Sequence, residues 1–108
     1  MNRYVYLVRF KPLLHGNGHV KVGYSEKLKL ASQIGRYRTY YPQFNFMAFS
    51  HKTPKQFEHY LKWKLQEHNI NNELFTEDCF DTAVNLCKRE CKLILDHEVK
   101  IPNNDFLL

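Results

Sequence analysis

Two runs of strand character close to the start of the chain bracket a glycine-bearing turn, and together they constrain the fold more than any other segment. Tyr4-Val5-Tyr6-Leu7-Val8 is rich in aromatic and β-branched residues, and Val20-Lys21-Val22-Gly23-Tyr24 runs back after His15-Gly16-Asn17-Gly18-His19. The first strand is expected over Tyr4–Phe10, with Tyr4, Tyr6, Val8 and Phe10 on one face and Val5, Leu7 and Arg9 on the other. The second is expected over Val20–Tyr24. The connection from Lys11 to His19 exceeds a two-residue turn, and Gly16 and Gly18 supply the unusual backbone conformations it needs. Antiparallel pairing is then the simplest arrangement.

Downstream the hydrophobic period changes to that of a helix. Ser25 suits an N-cap, and Leu30, Ile34, Tyr37 and Tyr41 recur at helical spacing, so a helix is expected from Ser25 to Tyr41, stopped by Pro42. Phe44–Ser50 reads as a third strand. Thr53, Pro54 and Gln56 form a capping-box start for a second helix, with Phe57, Leu61, Leu65 and His68 as its apolar stripe and Asn69-Ile70-Asn71-Asn72 as its stop. A third helix is expected from Thr76 or Asp78 to about His97, with Phe80, Val84, Cys87, Cys91 and Ile94 as its stripe and Lys88, Arg89 and Lys92 towards its end. Pro102 and Asn103-Asn104-Asp105 close the fold. The expectation is one α+β domain over 1–100 with a tail at 101–108: a small three-stranded antiparallel sheet flanked by helices, in the order β-β-α-β-α-α.

Composition narrows the partners. A chain of 108 residues supports one core, and 44% hydrophobic content favours folding. The formal net charge of +5 favours a polyanion. Cys79, Cys87 and Cys91 are odd in number and form no Cys-x-x-Cys pair, which favours buried free thiols over a zinc site and a reducing, intracellular setting. No apolar run approaches a membrane span or a leader. Nucleophile signatures, phosphate-binding loops and dinucleotide fingerprints are absent, so no small-molecule cofactor is expected. His15 and His19 flank the glycine turn without a nearby carboxylate or cysteine and read as solvated.

Five pieces in order carry a resemblance: Tyr4-Val5-Tyr6, Lys21-Val22-Gly23-Tyr24-Ser25, Thr39-Tyr40-Tyr41-Pro42, Glu58 and Glu73-Leu74-Phe75. Over Tyr4 to Phe75 the chain resembles the GIY-YIG nuclease superfamily, and within it the compact DNA-binding branch of phages and large DNA viruses. The resemblance implies that Tyr6 lines an active site and that Glu58 binds a single divalent metal. Mg²⁺ suits that role, since it accepts one carboxylate plus waters and substrate phosphate. Two positions depart from the pattern. Lys21 stands where the second motif usually has tyrosine, and a charged lysine more readily contacts phosphate than acts as a base. Gln33 stands at the position of the phosphate-stabilising arginine, with Arg36 one turn further on a neighbouring face.

A cationic surface supports nucleic-acid contact without the resemblance. Lys27, Lys29, Arg36, Arg38 and Tyr40 crowd the first helix and its exit, while Lys52, Lys55, Lys62 and Lys64 surround the second. Each position also has a structural alternative: Tyr6 as core, Glu58 as a solvated partner of Lys55 or Lys62, Lys21 as an outward strand residue. Three functions stay open. One is a metal-dependent endonuclease using Tyr6, Lys21, Gln33 or Arg36, and Glu58. A second is a DNA-binding module without turnover, and the third is a protein-interaction domain, through Trp63 or the Cys87/Cys91 helix. Oligomeric state is open in all three.

Overall fold

The computed structural model describes residues 3–11 and 18–99, and the side chain of Tyr40 is outside what it describes. The turn residues His15, Gly16 and Asn17, the end signals at Pro102 and Asn103–Asp105 and the 101–108 tail all lie outside the described residues. Nine elements follow in order: β1 (Tyr4–Phe10), β2 (His19–Ser25), α1 (Leu30–Tyr40), β3 (Phe44–Ser50), α2 (Pro54–Lys64), β4 (Asn69–Asn71), β5 (Leu74–Thr76), α3 (Phe80–Glu90) and β6 (Lys92–Val99). Short 3-10 turns at Gln66–His68 and Glu77–Cys79 lead into β4 and α3. None of the described helices is long and apolar enough to cross a membrane.

The architecture is α+β, but the expected three-stranded sheet is wrong. The described strands form one six-stranded antiparallel sheet in the order β4-β5-β2-β1-β3-β6. Alternation along β1 divides the core in two. Tyr4, Tyr6, Val8 and Phe10 face α1 with Tyr37, Phe44, Phe46 and Ala48, while Val5 and Leu7 join Val22, Phe49, Leu61 and Cys87 under α2 and α3.

The extra strands have physical causes. Phe44, Phe46, Met47, Ala48 and Phe49 of β3 are all buried, and a buried strand cannot leave a row of N–H and C=O groups unpaired. The segment expected to prolong the third helix covers that edge instead. Helix α3 stops at Glu90, Cys91 turns extended (φ −132°, ψ 171°), and β6 pairs with β3. A continuous helix would keep Ile94 on the side of Cys87, whereas Ile94 and Leu95 pack on the α1 face of the sheet. Ile94 therefore leaves the stripe, while Cys91, though no longer helical, still packs on the core cluster that holds Cys87. At the other edge, Asn72 at φ 48° lets β4 fold back on β5, with Asn71 opposite Leu74. Asparagine tolerates that conformation, so the Asn69–Asn72 run both ends the helical region and builds a hairpin.

Two helix starts also differ from expectation. Ser25 ends β2, and its Oγ accepts a hydrogen bond from Leu28 N at 3.0 Å, closing a tight turn rather than capping α1. Tyr4 Oη donates to Leu28 O at 2.8 Å and pins that turn, so α1 begins at Leu30. At α2, Pro54 takes the first position, but Thr53 makes no side-chain cap bond. Its backbone N–H donates instead to His51 Nδ1 at 3.0 Å.

Candidate nucleic-acid interface

The α1 face of the sheet is built around two tyrosines. Tyr6 stands directly opposite Gly23 across β1 and β2, and its ring stacks on Phe46 at 5.5 Å with a 13° interplanar angle. Tyr37 from α1 meets Tyr6 edge-on at 6.1 Å, and its hydroxyl donates to the Tyr6 hydroxyl at 3.2 Å. Burial pushes both phenols above the usual tyrosine value, with the neighbouring phenol adding to the rise at Tyr6. Both are therefore neutral at physiological pH and available as hydrogen-bonding groups rather than bases.

Two clefts flank this tyrosine ridge. The first, of about 440 Å³, is lined by Tyr6, Ser25, Lys27, Gln33 and Arg36 among others. Gln33 is only 2% exposed, whereas Arg36 is exposed and its Nη1 donates to Gln33 Oε1 at 3.4 Å. The glutamine at the expected arginine position is thus part of the cleft floor, and Arg36 supplies the charge at its rim. The second cleft, of about 590 Å³, is lined by Lys21, Tyr37, Tyr41, Lys62 and Glu73 with Asn71 and Asn72. Lys21 Nζ lies 5.4 Å from the Tyr37 ring centroid and 3.5 Å from Glu73.

Glu58 lies behind Lys62. It is 2% exposed, with Lys62 Nζ 3.2 Å and His59 Nε2 3.8 Å from Oε1. The lysine is close but not aligned, since Oε1 accepts no hydrogen bond from any described group. Desolvation raises the Glu58 pKa above its usual range; Lys62 opposes the rise and Glu73 adds to it. Lys62 also reaches Glu73 at 4.0 Å, so two lysines and two glutamates interleave at this end of the site.

The sequence-predicted residues separate into three sets. Tyr6, Lys27, Gln33 and Arg36 share the first cleft, and Lys21 and Lys62 share the second, joined through the Tyr6–Tyr37 contact. Glu58 lines neither cleft and touches the second through Lys62. Lys29 precedes α1 as its cap residue, and Arg38 turns towards β6, with Nη2 3.2 Å from His97 Nε2. Glu73 was not among the expected site residues, although it contacts Lys21 and Lys62 and bears on the titration of Tyr6, Tyr37 and Glu58. Its signal in sequence was its place in the Glu73-Leu74-Phe75 piece, while its contacts with Lys21 and Lys62 follow from the β4–β5 hairpin.

Carboxylate oxygen for a hard divalent cation comes from Glu58, whose Oε1 accepts no hydrogen bond, and from Glu73, which shares Lys62 with it. Among the described residues no group of three or more His, Cys, Asp or Glu side chains converges to hold a metal. A cation at Glu58 would therefore complete its shell with water and substrate phosphate, and the Lys62 ammonium would have to withdraw. Compared with protein-family models, with curated proteins and with solved structures, the chain matches none.

Proposed function

We propose that this protein is a DNA-binding domain of GIY-YIG type that grips the phosphate backbone across its tyrosine ridge. The observation that carries the reading is the placement of Lys27 and Arg36 on one side of the Tyr6–Tyr37 pair and Lys21 and Lys62 on the other. Cations on both sides of a rigid ridge suit successive phosphates of one strand. The Lys21–Glu73 and Lys62–Glu73 pairs are partly exposed and contribute little to stability, so phosphate oxygens can replace Glu73 at small cost. The neutral Tyr6 hydroxyl accepts from Tyr37 and keeps its own proton to donate to the same strand.

A second reading, hydrolysis of the phosphodiester, is favoured by one observation: a buried carboxylate oxygen at Glu58 without a hydrogen-bond donor. A bound Mg²⁺ would polarise the phosphate and stabilise the leaving oxygen. Around it Arg36 would hold a non-bridging oxygen from the cleft rim, Tyr6 would orient the phosphate, and Lys21 would fix its neighbour. With Gln33 in place of the arginine, the charge opposite a developing phosphorane is reduced to Arg36 alone, and one such contact carries several kcal/mol.

One experiment separates these readings. The protein and a Glu58→Gln variant are incubated with supercoiled and branched DNA, with and without Mg²⁺ or Mn²⁺, while binding to labelled duplex is followed by anisotropy across a salt series. Binding that weakens steeply with salt, without nicking by either protein, establishes the binding domain. Metal-dependent nicking lost in the variant establishes the nuclease. No binding at low salt overturns both and leaves the protein-interaction domain.

A further inference from the structure

Helix α2 carries a second feature that the clefts do not use. Trp63 is 61% exposed, the most exposed of the large hydrophobic residues of the described chain, and it is the sole tryptophan in the sequence. An isolated exposed apolar side chain needs no explanation. Trp63 is not isolated in that sense, because its surroundings are cationic. Lys55, His59 and Trp63 succeed one another at four-residue intervals along the exposed face. Lys64 Nζ lies 5.5 Å from the Trp63 ring centroid and 5.9 Å from that of Tyr60. The helix holds three lysines and one acid, and that acid, Glu58, is buried. The nearest exposed acid in sequence, Glu67, lies beyond the helix in the following 3-10 turn, and a large aromatic surface beside the helix cations is complementary to a base attached to a phosphate chain.

Its position relative to the clefts gives it direction. Lys62 lines the second cleft, and Trp63 is the next residue, one step round the helix towards solvent. A strand whose phosphates occupy Lys21 and Lys62 passes over the outer face of α2 as it leaves. A duplex holds its bases in the stack, where an indole on a protruding helix does not reach their faces; a single strand presents them freely.

We infer that Trp63 is a base-stacking platform for single-stranded nucleic acid leaving the Lys21/Lys62 cleft. This rests on the proposed nucleic-acid binding and specifies its substrate as one with a single-stranded segment. Lys64 steadies one side of the indole and leaves the rest of the ring open. Lys55 and His59 lie along the path of the following phosphates.

The sole tryptophan makes the test direct. Intrinsic fluorescence of the full chain is titrated with a thymidine oligomer, with an abasic oligomer of the same length and with a duplex, while anisotropy of labelled oligomers reports binding independently. The expected result is quenching by the thymidine oligomer alone. A Trp63→Ala variant should lose roughly tenfold or more in affinity for it and show a much smaller loss for the abasic oligomer. Circular dichroism confirms that the variant folds. If the thymidine oligomer binds by anisotropy without quenching, and Trp63→Ala binds it as well as the parent, the platform is wrong and the cleft reading stands. If no oligomer or duplex binds at low salt, both fall. Fluorescence that shifts with protein concentration alone, and self-association lost in Trp63→Ala, would assign the indole to a contact between copies and overturn the platform.

Discussion

Gly23→Ala tests whether the tyrosine ridge is as tightly built as its geometry implies. The backbone at Gly23 is ordinary strand, so the argument concerns space rather than conformation. An added Cβ would stand 2.5 Å from Tyr6 Oη and 2.9 Å from Cε1, and closer still to Cζ. The ring is held on three sides, with Phe46 stacked at 5.5 Å, Tyr37 edge-on at 6.1 Å and Tyr4 at 6.1 Å, so it can yield only towards the first cleft and only by giving up these contacts. Overpacking of this kind costs about 1–3 kcal/mol, and displacing the Tyr6–Tyr37 hydrogen bond adds about 0.5–1.5 kcal/mol. Reduced entropy of the unfolded chain returns about 0.4–1 kcal/mol. The net loss is about 0.5–4 kcal/mol, centred near 2, a fall in Tm of roughly 10 °C for a chain of this length. β2 stays paired with β1 throughout, but past Lys21 its outer edge has no β5 partner except Val22 N–H to Glu73 O, so it has an apparent escape outward. Val22 and Ser25 on either side are buried and oppose that movement. Thermal and urea unfolding of Gly23→Ala, Tyr6→Leu and the double variant complete a cycle. The alanine should cost less than about 1 kcal/mol once the tyrosine is gone. A wild-type Tm for Gly23→Ala, or strict additivity in the cycle, would refute the packing argument.

Lys21→Gln and Arg36→Gln should each weaken duplex binding and lower the salt slope by about 1, as loss of one phosphate contact requires; an unchanged slope removes that residue from the interface. Glu58→Gln should be more stable than the parent at neutral pH. The folded-state pKa of Glu58 lies above its usual 4.5, so the native state holds the proton more tightly than the unfolded chain. Parental stability then falls as pH rises from about 4.5 through the raised value. The difference between the two proteins should open over the same interval and vanish below it. Urea midpoints across pH check this, and a parallel pH profile would refute it. Burial holds the Cys79 and Cys91 thiols up at about 11 and raises Cys87 further, so alkylation at pH 8 should be slow in the native protein, fastest at the half-exposed Cys91, and rapid at all three after unfolding. Native Cys87 reacting at the rate of a free thiol would contradict its buried place under the sheet.

Local signals gave the parts of the fold that depend on local chemistry. β1 and β3 follow their alternating runs residue for residue, and Pro54 marks the start of α2. What stayed hidden depends on contacts distant in sequence. β6 is a strand because β3, more than forty positions earlier, has a buried edge, and nothing within Lys92–Val99 outweighs the helical spacing from Phe80 to Ile94. Asn69–Asn72 contains correct stop signals, but its pairing with Leu74–Thr76 requires the positive φ at Asn72. The site divides in the same way. Tyr6, Lys21 and Gln33 were singled out by position in the motifs, and Glu73 stood in the last piece, but the contacts of Glu73 with Lys21 and Lys62 arise only from the β4–β5 edge hairpin. That Glu58 is buried was not readable either, since it flanks the apolar stripe of α2 where solvent and core positions meet.

Glu58 brings the energetic and functional arguments together. Its Oε1 is desolvated, accepts no hydrogen bond, and has a cation nearby whose attraction does not offset the burial. In a domain that only grips DNA, this carboxylate is an avoidable liability: glutamine fills the same volume, can donate to a neighbour and carries no charge to bury. The stability gained and the function lost in Glu58→Gln therefore have to be measured on the same protein. A parent that nicks DNA with metal, and a stabilised variant that keeps the DNA affinity but loses the nicking, would place the carboxylate in phosphodiester chemistry. A stabilised variant whose affinity falls, with no nicking in the parent, would make the Glu58–Lys62 pair a device that positions Lys62 in the cleft. Lys62→Gln separates that device from a simple phosphate contact: loss of the positioning pair should alter the fluorescence response of the adjacent Trp63, whereas loss of one phosphate contact should alter the salt slope alone.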